Sequence, residues 1–159
     1  MAQIKTTFLG AEDYPQVLRL FRQLHKVHSD LRPDFYLASD TPITLERYEA
    51  IFEDPENRVI GAMDGERLVG MCFLLWRSRA NNPLCVPRKV AYLDDICVDE
   101  AYRKQGIGEM VCQEAFRIAR EKKADSAELS VWDCNRGAVA FYRKLGFTNR
   151  TLNLELSLS

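Results

Sequence analysis

A short turn that carries glycine and basic side chains lies between an apolar strand and an amphipathic helix. Residues 94–108 read Asp-Asp-Ile-Cys-Val-Asp-Glu-Ala-Tyr-Arg-Lys-Gln-Gly-Ile-Gly. The first N–H groups of a helix lack internal partners and lie at the positive end of its dipole, where anions bind. Gly106 and Gly108 have no Cβ, so a phosphate can approach the backbone, and Arg103 and Lys104 add positive charge. The spacing therefore predicts an anion site at this turn.

Two common nucleotide-binding motifs do not match this turn. The pattern Arg-x-x-Gly-x-Gly lacks the Gly-Lys-Ser/Thr ending of a P-loop, and Val111 stands where a dinucleotide fingerprint needs a third Gly or Ala. A protein that binds ATP or NAD through the same glycine turn stays open as an alternative.

The surrounding sequence indicates an α/β domain with a mixed sheet, in the order β-α-α-β-β-β-α-β-α-β. One helix begins near Pro15 and ends before Pro33, and Asp64-Gly65 predicts a hairpin turn. Hydrophobic periodicity predicts the other helices at residues 44–52, 106–122 and 136–145. Strands are predicted at residues 4–9, 58–63, 67–76, 90–98 and 127–132, loops at 31–41 and 81–87, and a final extended segment at 147–159.

Two motifs identify a resemblance to a known family. Val98, Arg103, Gly106 and Gly108 resemble the acetyl-CoA pyrophosphate loop of the GNAT superfamily of N-acetyltransferases. Residues 135–147 are similar to that family's Asn-x-x-Ala-x-x-Phe-Tyr-x-x-x-Gly-Phe helix. Residues 28–35 are similar to a His-x-x-x-Arg-Pro-Asp pattern of some bacterial members, which favours a bacterial type.

The resemblance implies a single acetyltransferase domain over residues 1–159. It implies a mixed, mostly antiparallel sheet flanked by helices, with a cofactor cleft between splayed central strands. It also implies that acetyl-CoA is the cosubstrate, without a metal, and that an acetyl group passes directly to a primary amine of a small molecule or protein in a ternary complex. A non-catalytic module that binds acetyl-CoA for regulation is the main alternative.

The same resemblance assigns roles to individual residues. The N–H of Ile96 is expected to polarise the thioester carbonyl, Asn135 to contact the pantetheine arm, and Tyr142 to protonate the leaving thiolate. The backbone groups that are expected to bind the coenzyme belong to Ile96, Cys97 and Val98 for the pantetheine arm and to Arg103, Lys104, Gln105, Gly106, Ile107 and Gly108 for the pyrophosphate.

Asp94 and Asp95 are the candidates for the base that takes the proton of the amine, whose pKa is about 10.4 in lysine. Neighbouring strand residues face opposite sides, so only one of them enters the cleft unless a bulge intervenes. The position of Asp94 is slightly favoured, because some polyamine-acetylating relatives carry a glutamate there. Asp95 is the other candidate, and water alone serves as the acceptor in many members of the family.

Four further residues are considered as site residues. His28 and Asp34 are expected to contact the substrate. His25 and His28 are spaced as a metal pair, but no clear third ligand accompanies them, so we expect no metal site. Cys97 is expected to be a small buried hydrophobe rather than a covalent acyl carrier.

The composition limits the class of protein. With 22 basic and 23 acidic residues the net charge is −1, which argues against a general nucleic-acid binder. Five cysteines without C-x-x-C spacing indicate reduced thiols. No run approaches the roughly 20 apolar residues that span a membrane, so we expect a cytoplasmic protein. The alternating leucines of residues 152–158 indicate a strand that either pairs across a homodimer interface or completes the sheet.

Overall fold

The computed structural model describes residues 3–78 and 82–159. Its strands are β1 Lys5–Leu9, β2 Arg58–Asp64, β3 Arg67–Ser78, β4 Lys89–Val98 and β5 Ser126–Glu128. Its α-helices are α1 Tyr14–Leu31, α2 Leu45–Ala50, α3 Ile107–Glu121 and α4 Arg136–Lys144. The predicted loop at residues 81–87 begins with Asn81, which lies outside the described residues, and residues 82–87 form no helix or strand.

The five strands form one sheet in the order β1-β2-β3-β4-β5. Strands β1 to β4 pair antiparallel, and β5 lies parallel to β4. The predicted mixed, mostly antiparallel sheet is confirmed. The hairpin turn lies one residue later than predicted, because Asp64 pairs with Arg67 and Gly65 takes the left-handed conformation, with φ +58°, in the turn.

Two apolar cores cover the two faces of this sheet, because successive strand residues point to opposite sides. In β3, Val69 and Cys72 belong to the core under α3, whereas Leu68 and Met71 belong to the core under α1 and α2. The buried face of α3 carries Ile107, Val111, Cys112, Ala115, Ile118 and Ala119. The sheet therefore separates a face with α1 and α2 from a face with α3.

The strand predicted at residues 127–132 is shorter than expected. The ladder between β4 and β5 joins only Val90 to Ser126, Ala91 to Ala127 and Tyr92 to Glu128. Beyond Tyr92 a bulge in β4 changes its course, and bulges bend a strand and increase its twist. Residues 129–132 then have no neighbouring strand, so β5 ends at Glu128.

The final strand predicted at residues 147–159 is wrong for the single chain. Residues 148–159 form no helix or strand, and Leu152, Leu154, Leu156 and Leu158 are exposed. A strand needs a neighbouring strand with which its backbone forms hydrogen bonds, and no strand within residues 3–78 and 82–159 pairs with this segment. The helix before it ends as predicted, with Gly146 at φ +103° after the last turn.

No helix in the described part of the chain is long and apolar enough to cross a bilayer.

Candidate active site

A bulge in β4 brings the two neighbouring carboxylates to one cavity. Cys72 of β3 pairs with Ile96 and Leu74 pairs with Leu93, so Asp94 and Asp95 lie opposite a single residue, Phe73. This two-against-one register breaks the strict alternation of side chains along the strand. Both aspartates line a cavity of about 320 Å³ on the α1 and α2 face of the sheet.

The cavity combines apolar walls with a few polar groups. Its other lining residues are Phe21, Ile43, Arg47, Ala50, Ile51, Asn57, Phe73 and Leu75. Asn57 donates from Nδ2 to the carbonyl of Ile51 at 2.9 Å. Its Oδ1 is buried and accepts no hydrogen bond from any residue that the structure describes. The cavity therefore presents two carboxylates, which suit a ligand with N–H donors.

Asp95 has a strongly perturbed acidity. Its pKa is raised to about 7, first by burial and then by the neighbouring charge of Asp94, whereas Arg47 opposes the rise. A carboxyl group with this pKa exists in both protonation states near neutral pH. It can therefore accept a proton and release it again at the pH of most cells.

Tyr142 lies on α4 between two aromatic rings. Its ring centroid is 5.2 Å from that of Phe141 and 5.9 Å from that of Phe147. Burial raises the pKa of its hydroxyl, and the nearby Cys112, Cys72, Asp95 and Cys97 act in the same direction. The phenol therefore keeps its proton at neutral pH.

An opening in the sheet lies beside the second half of β4, which leads to the predicted anion site. Because β5 pairs with β4 only as far as Tyr92, the side of β4 that faces β5 has no neighbouring strand from residue 93 to residue 98. The Tyr92 hydroxyl contacts Ser130 Oγ at 3.2 Å at the start of this opening. The backbone of Ile96, Cys97 and Val98 borders it, so an extended ligand can lie there as an additional strand.

The predicted anion site has the backbone geometry of an open helix N-terminus. Lys104 and Gly106 take left-handed conformations, with φ +63° and +80°, and α3 begins at Ile107. No side chain caps this helix. The N–H groups of its first turn therefore donate to no side chain in the part of the chain that the structure describes. The Ile107 side chain is buried in the core, whereas Arg103, Lys104 and Gln105 are exposed.

Gly108 lets α3 lie close to α4. A Cβ at this position would be 3.2 Å from the Phe141 ring and 3.5 Å from the Val98 side chain. The absence of a side chain therefore brings the first turn of α3, the end of β4 and the helix of Tyr142 together. Asn135 caps α4, since its Oδ1 accepts from the Ala138 amide at 3.3 Å, and its Nδ2 is left to bind a ligand.

The buried carboxylate of Asp99 fixes the start of the turn. It accepts hydrogen bonds from Arg19 Nη1 at 2.6 Å, Arg67 Nη2 at 3.0 Å and the Ala101 amide at 3.1 Å. Burial alone raises its pKa, but these hydrogen bonds prevail and hold the pKa at about 2. Sequence reasoning did not single out Asp99; its signal is an acidic residue directly after the apolar strand.

Cys97 is buried, as the sequence predicts. Its Sγ lies 3.4 Å from the carbonyl oxygen of Leu20, and burial raises its pKa to about 12. A thiol of this acidity is not a thiolate at neutral pH, so Cys97 is a poor nucleophile.

His28 and Asp34 lie apart from the carboxylate cavity, whose lining does not include them. His28 stacks on Tyr36, with ring centroids 5.6 Å apart, and burial lowers its pKa. Asp34 accepts two hydrogen bonds from Arg32, at 2.9 Å and 2.7 Å, and this contact lowers its pKa. His25 Nε2 contacts the Leu37 carbonyl at 2.6 Å. Within residues 3–78 and 82–159, no group of His, Cys, Asp or Glu side chains has the arrangement of a metal site.

Known proteins of similar sequence are acetyltransferases. The chain is 38% identical over 60 residues to thialysine N-epsilon-acetyltransferase of Sus scrofa, a match that covers 38% of this chain and 35% of that protein. It is 28% identical over 127 residues to glucosamine 6-phosphate N-acetyltransferase 1 of Oryza sativa, covering 76% of this chain and 73% of that protein. The first match thus spans about a third of the relative's length.

A solved structure of similar fold is a mutant of the BH1408 protein from Bacillus halodurans. It superposes with a TM-score of 0.93 at 28% identity and covers 98% of this chain and 99% of that one. The family model described as "Acetyltransferase (GNAT) family" matches residues 24–147. This range includes both motifs, the bulge of β4 and Tyr142. The chain therefore belongs to the GNAT family of acetyltransferases.

Proposed function

We propose that this chain transfers an acetyl group from acetyl-CoA to a primary amine by direct attack in a ternary complex. One observation carries the proposal. The opening between β4 and β5 has the uncapped N-terminus of α3 at one end and the Asp94–Asp95 bulge at the other. The diphosphate of an extended ligand can thus be held at one end of the opening, and the reacting amine of the acceptor at the other end.

Acetyl-CoA fits the donors and acceptors of this opening. The amides of Gly106, Ile107 and Gly108 suit the diphosphate, and Arg103 and Lys104 supply positive charge beside it. Asn135 Nδ2 and the backbone of residues 96–98 suit the amide groups of the pantetheine arm. When bound, acetyl-CoA supplies the thioester, and the N–H of Ile96 is suited to polarise its carbonyl group.

Tyr142 and Asp95 are suited to move the two protons of the reaction. As the amine nitrogen bonds to the carbonyl carbon, the carbon–sulfur bond breaks, and the departing thiolate takes the proton of the Tyr142 hydroxyl. The amine gives up a proton, for which Asp95 is better suited than Asp94 because its pKa of about 7 lies near the working pH. Asp94 then acts mainly through its charge, and a water molecule remains able to relay the proton.

The acceptor that suits this site best is a small molecule. The cavity of about 320 Å³ is small, and its two carboxylates attract an ammonium group. Two relatives, the thialysine and glucosamine 6-phosphate acetyltransferases, are also named for small amines. We therefore place small primary amines ahead of protein amines.

The test combines calorimetric titration of acetyl-CoA with thiol release across a panel of amines. The panel contains lysine analogues, amino sugars with and without phosphate, polyamines and an amino-terminal peptide. We expect binding at tens of micromolar or tighter and thiol release with at least one small amine. Failure of acetyl-CoA to bind at these concentrations contradicts the proposal.

Two other outcomes identify the alternatives. Binding of acetyl-CoA without thiol release from any amine supports a non-catalytic binding module. A thermal shift with ATP or NAD that exceeds the shift with acetyl-CoA supports a nucleotide-binding protein.

A further inference from the structure

A second cavity, here called the hairpin cavity, lies where β3 ends and β4 begins. Its volume is about 520 Å³. Among the described residues, its lining includes three basic side chains, Arg77, Arg88 and Lys89, and one acidic side chain, Asp54. The surplus of basic groups favours an anion in this cavity.

The hairpin cavity and the carboxylate cavity follow one another along the same face of the sheet. Leu75 lines the carboxylate cavity, and Arg77 lines the hairpin cavity. Residues two positions apart on a strand point to the same side. Tyr92 pairs with Leu75 and therefore shares this face, which is the face with α1 and α2. A single ligand on this face can thus contact both cavities.

The Arg77 side chain turns back from the end of the hairpin towards the carboxylates. Its backbone is paired with Val90, yet its guanidinium carbon lies 3.3 Å from the centroid of the Tyr92 ring. Tyr92 precedes Asp94 by two residues, and two strand residues advance about 7 Å. An amine and an anionic group that are separated by about this distance can therefore contact Asp94 and Arg77 together.

The guanidinium of Arg77 is held in place but keeps its donors. Stacking on an aromatic ring occupies the flat face of a guanidinium and leaves the N–H groups at its edges. The ion pairs of the described residues use other basic side chains. Glu128, which is the neighbour of Tyr92 in β5, is paired with Arg150 at 3.3 Å. Arg77 is therefore suited to bind a carboxylate or phosphate through two N–H groups.

We propose that the acceptor is a primary amine that also carries a carboxylate or phosphate group. Its amine lies at Asp94 and Asp95, and its anionic group binds Arg77. This inference rests on the proposed acetyl transfer for the reaction of the acceptor, but not for its binding. An amine without the anionic group leaves Arg77 without a partner, so it is the poorer substrate.

The test compares two pairs of acceptors whose members differ in the anionic group. Thiol release from acetyl-CoA is measured for aminocaproate against pentylamine, and for glucosamine 6-phosphate against glucosamine. We expect kcat/KM of at least one anionic member to exceed that of its partner by about 10-fold or more, mainly through a lower KM. The pair that shows this preference distinguishes a carboxylate from a phosphate.

The variant Arg77→Gln removes the proposed anion-binding group. It should reduce the preference for the anionic member by about 10-fold or more, because charge-assisted hydrogen bonds are lost. Arg77 is exposed, so the variant is expected to fold, and an unchanged thermal unfolding midpoint verifies this. If the preference is unchanged, or if kcat/KM falls equally for both members of a pair, the inference is overturned.

Arg120→Gln is the matched control. It removes the same charge from an exposed position on α3, which covers the other face of the sheet. The preference for the anionic member should stay as in the wild-type chain. A loss in this variant equal to the loss in Arg77→Gln would show an effect of net charge alone and would also overturn the inference.

Calorimetric titration in the presence of coenzyme A separates this inference from the proposed function. The titrants are aminocaproate and glucosamine 6-phosphate. Binding that weakens in Arg77→Gln, without thiol release from any acceptor, supports the anion site and contradicts acetyl transfer. Thiol release from pentylamine or glucosamine as fast as from the anionic partner supports acetyl transfer and overturns the anion site. If neither anionic compound binds or reacts, the inference is overturned, whichever other amine reacts.

Discussion

The role proposed for the Tyr142 hydroxyl, to give a proton to a leaving thiolate, requires that the hydroxyl is protonated at neutral pH. Its burial on α4 raises its pKa, and no carboxylate or amide among the described residues accepts its hydrogen bond. The hydroxyl is therefore free to donate to a ligand in the opening between β4 and β5. This role predicts a large effect on turnover and a small one on affinity.

The first prediction concerns Tyr142→Phe. Loss of the proton donor should lower kcat by about 100-fold or more, within the range for general acid catalysis, while the Kd of acetyl-CoA changes less than about two-fold. Steady-state kinetics and calorimetry measure the two quantities. Tyr102→Phe is the control, because its hydroxyl donates to Asp64 at 2.8 Å. If the two variants have equal turnover, Tyr142 has no chemical role.

The second prediction concerns the acid limb of the pH profile. Asp95 must be ionised to act as a base, so kcat/KM should rise with pH around its pKa of about 7. Asp94 raises this pKa and Arg47 lowers it. Asp94→Asn should therefore move the midpoint to lower pH, and Arg47→Gln should move it to higher pH, each by roughly half a unit or more. Shifts in the same direction contradict the assignment of Asp95.

The third prediction concerns stability. The pKa of Asp95 is raised from an ordinary value of 3.8 to about 7, so its ionisation opposes folding. The folded state loses stability as pH rises between these two values, and the loss is complete above pH 7. Asp95→Asn should stabilise the protein by about 1–4 kcal/mol at pH 8 and by little at pH 4. Urea unfolding at both pH values measures this, and an equal effect at both would contradict it.

At the scale of single elements, α3 was predictable from the sequence because its signals are local. Apolar residues recur with helical spacing, and a glycine precedes the first turn, so the predicted range of 106–122 differs from Ile107–Glu121 by one residue at each end. Strand β5 begins one residue earlier and ends four residues earlier than predicted, because its length depends on β4. The sequence around residues 129–132 contains no signal of the bulge at Asp94 and Asp95, which ends the pairing of β5 with β4.

The fourth prediction compares alanine substitutions at Gly106 and Gly137. Gly106 has φ +80°, a conformation that costs a residue with Cβ about 1–2 kcal/mol. Gly106→Ala should lower stability by that amount and weaken acetyl-CoA binding several-fold, because it distorts the turn. Gly137 lies in the first turn of α4 with no atom within 4 Å of a Cβ, so Gly137→Ala should be neutral or stabilising. Denaturation and calorimetry test both variants, and equal effects would contradict the proposed strain.

At the scale of the whole molecule, the proposed site joins the two faces of the sheet. The carboxylate cavity belongs to the face with α1 and α2, whereas Tyr142 and the anion-binding turn belong to the face with α3 and α4. Asp99 links these faces, because it binds Arg19 of α1 and Arg67 of β3 at the end of β4. The site thus depends on long-range contacts that local sequence signals do not report.

The final segment, residues 148–159, also shows that local sequence signals do not report long-range pairing. Its alternating leucines correctly indicate a strand pattern, but a pattern of side chains does not name the edge with which the strand pairs. The two motifs at residues 98–108 and 135–147 predict the coenzyme side of the proposed site by resemblance. The acceptor side depends on the β4 bulge, which leaves both aspartates in one cavity.

The most direct test of the central claim is a crystal structure of the chain with coenzyme A. We expect diphosphate oxygens within about 2.7–3.2 Å of the amide nitrogens of residues 106–108, with the pantetheine arm along residues 96–98. A diphosphate bound elsewhere, or an arm that does not enter the opening between β4 and β5, would contradict this account.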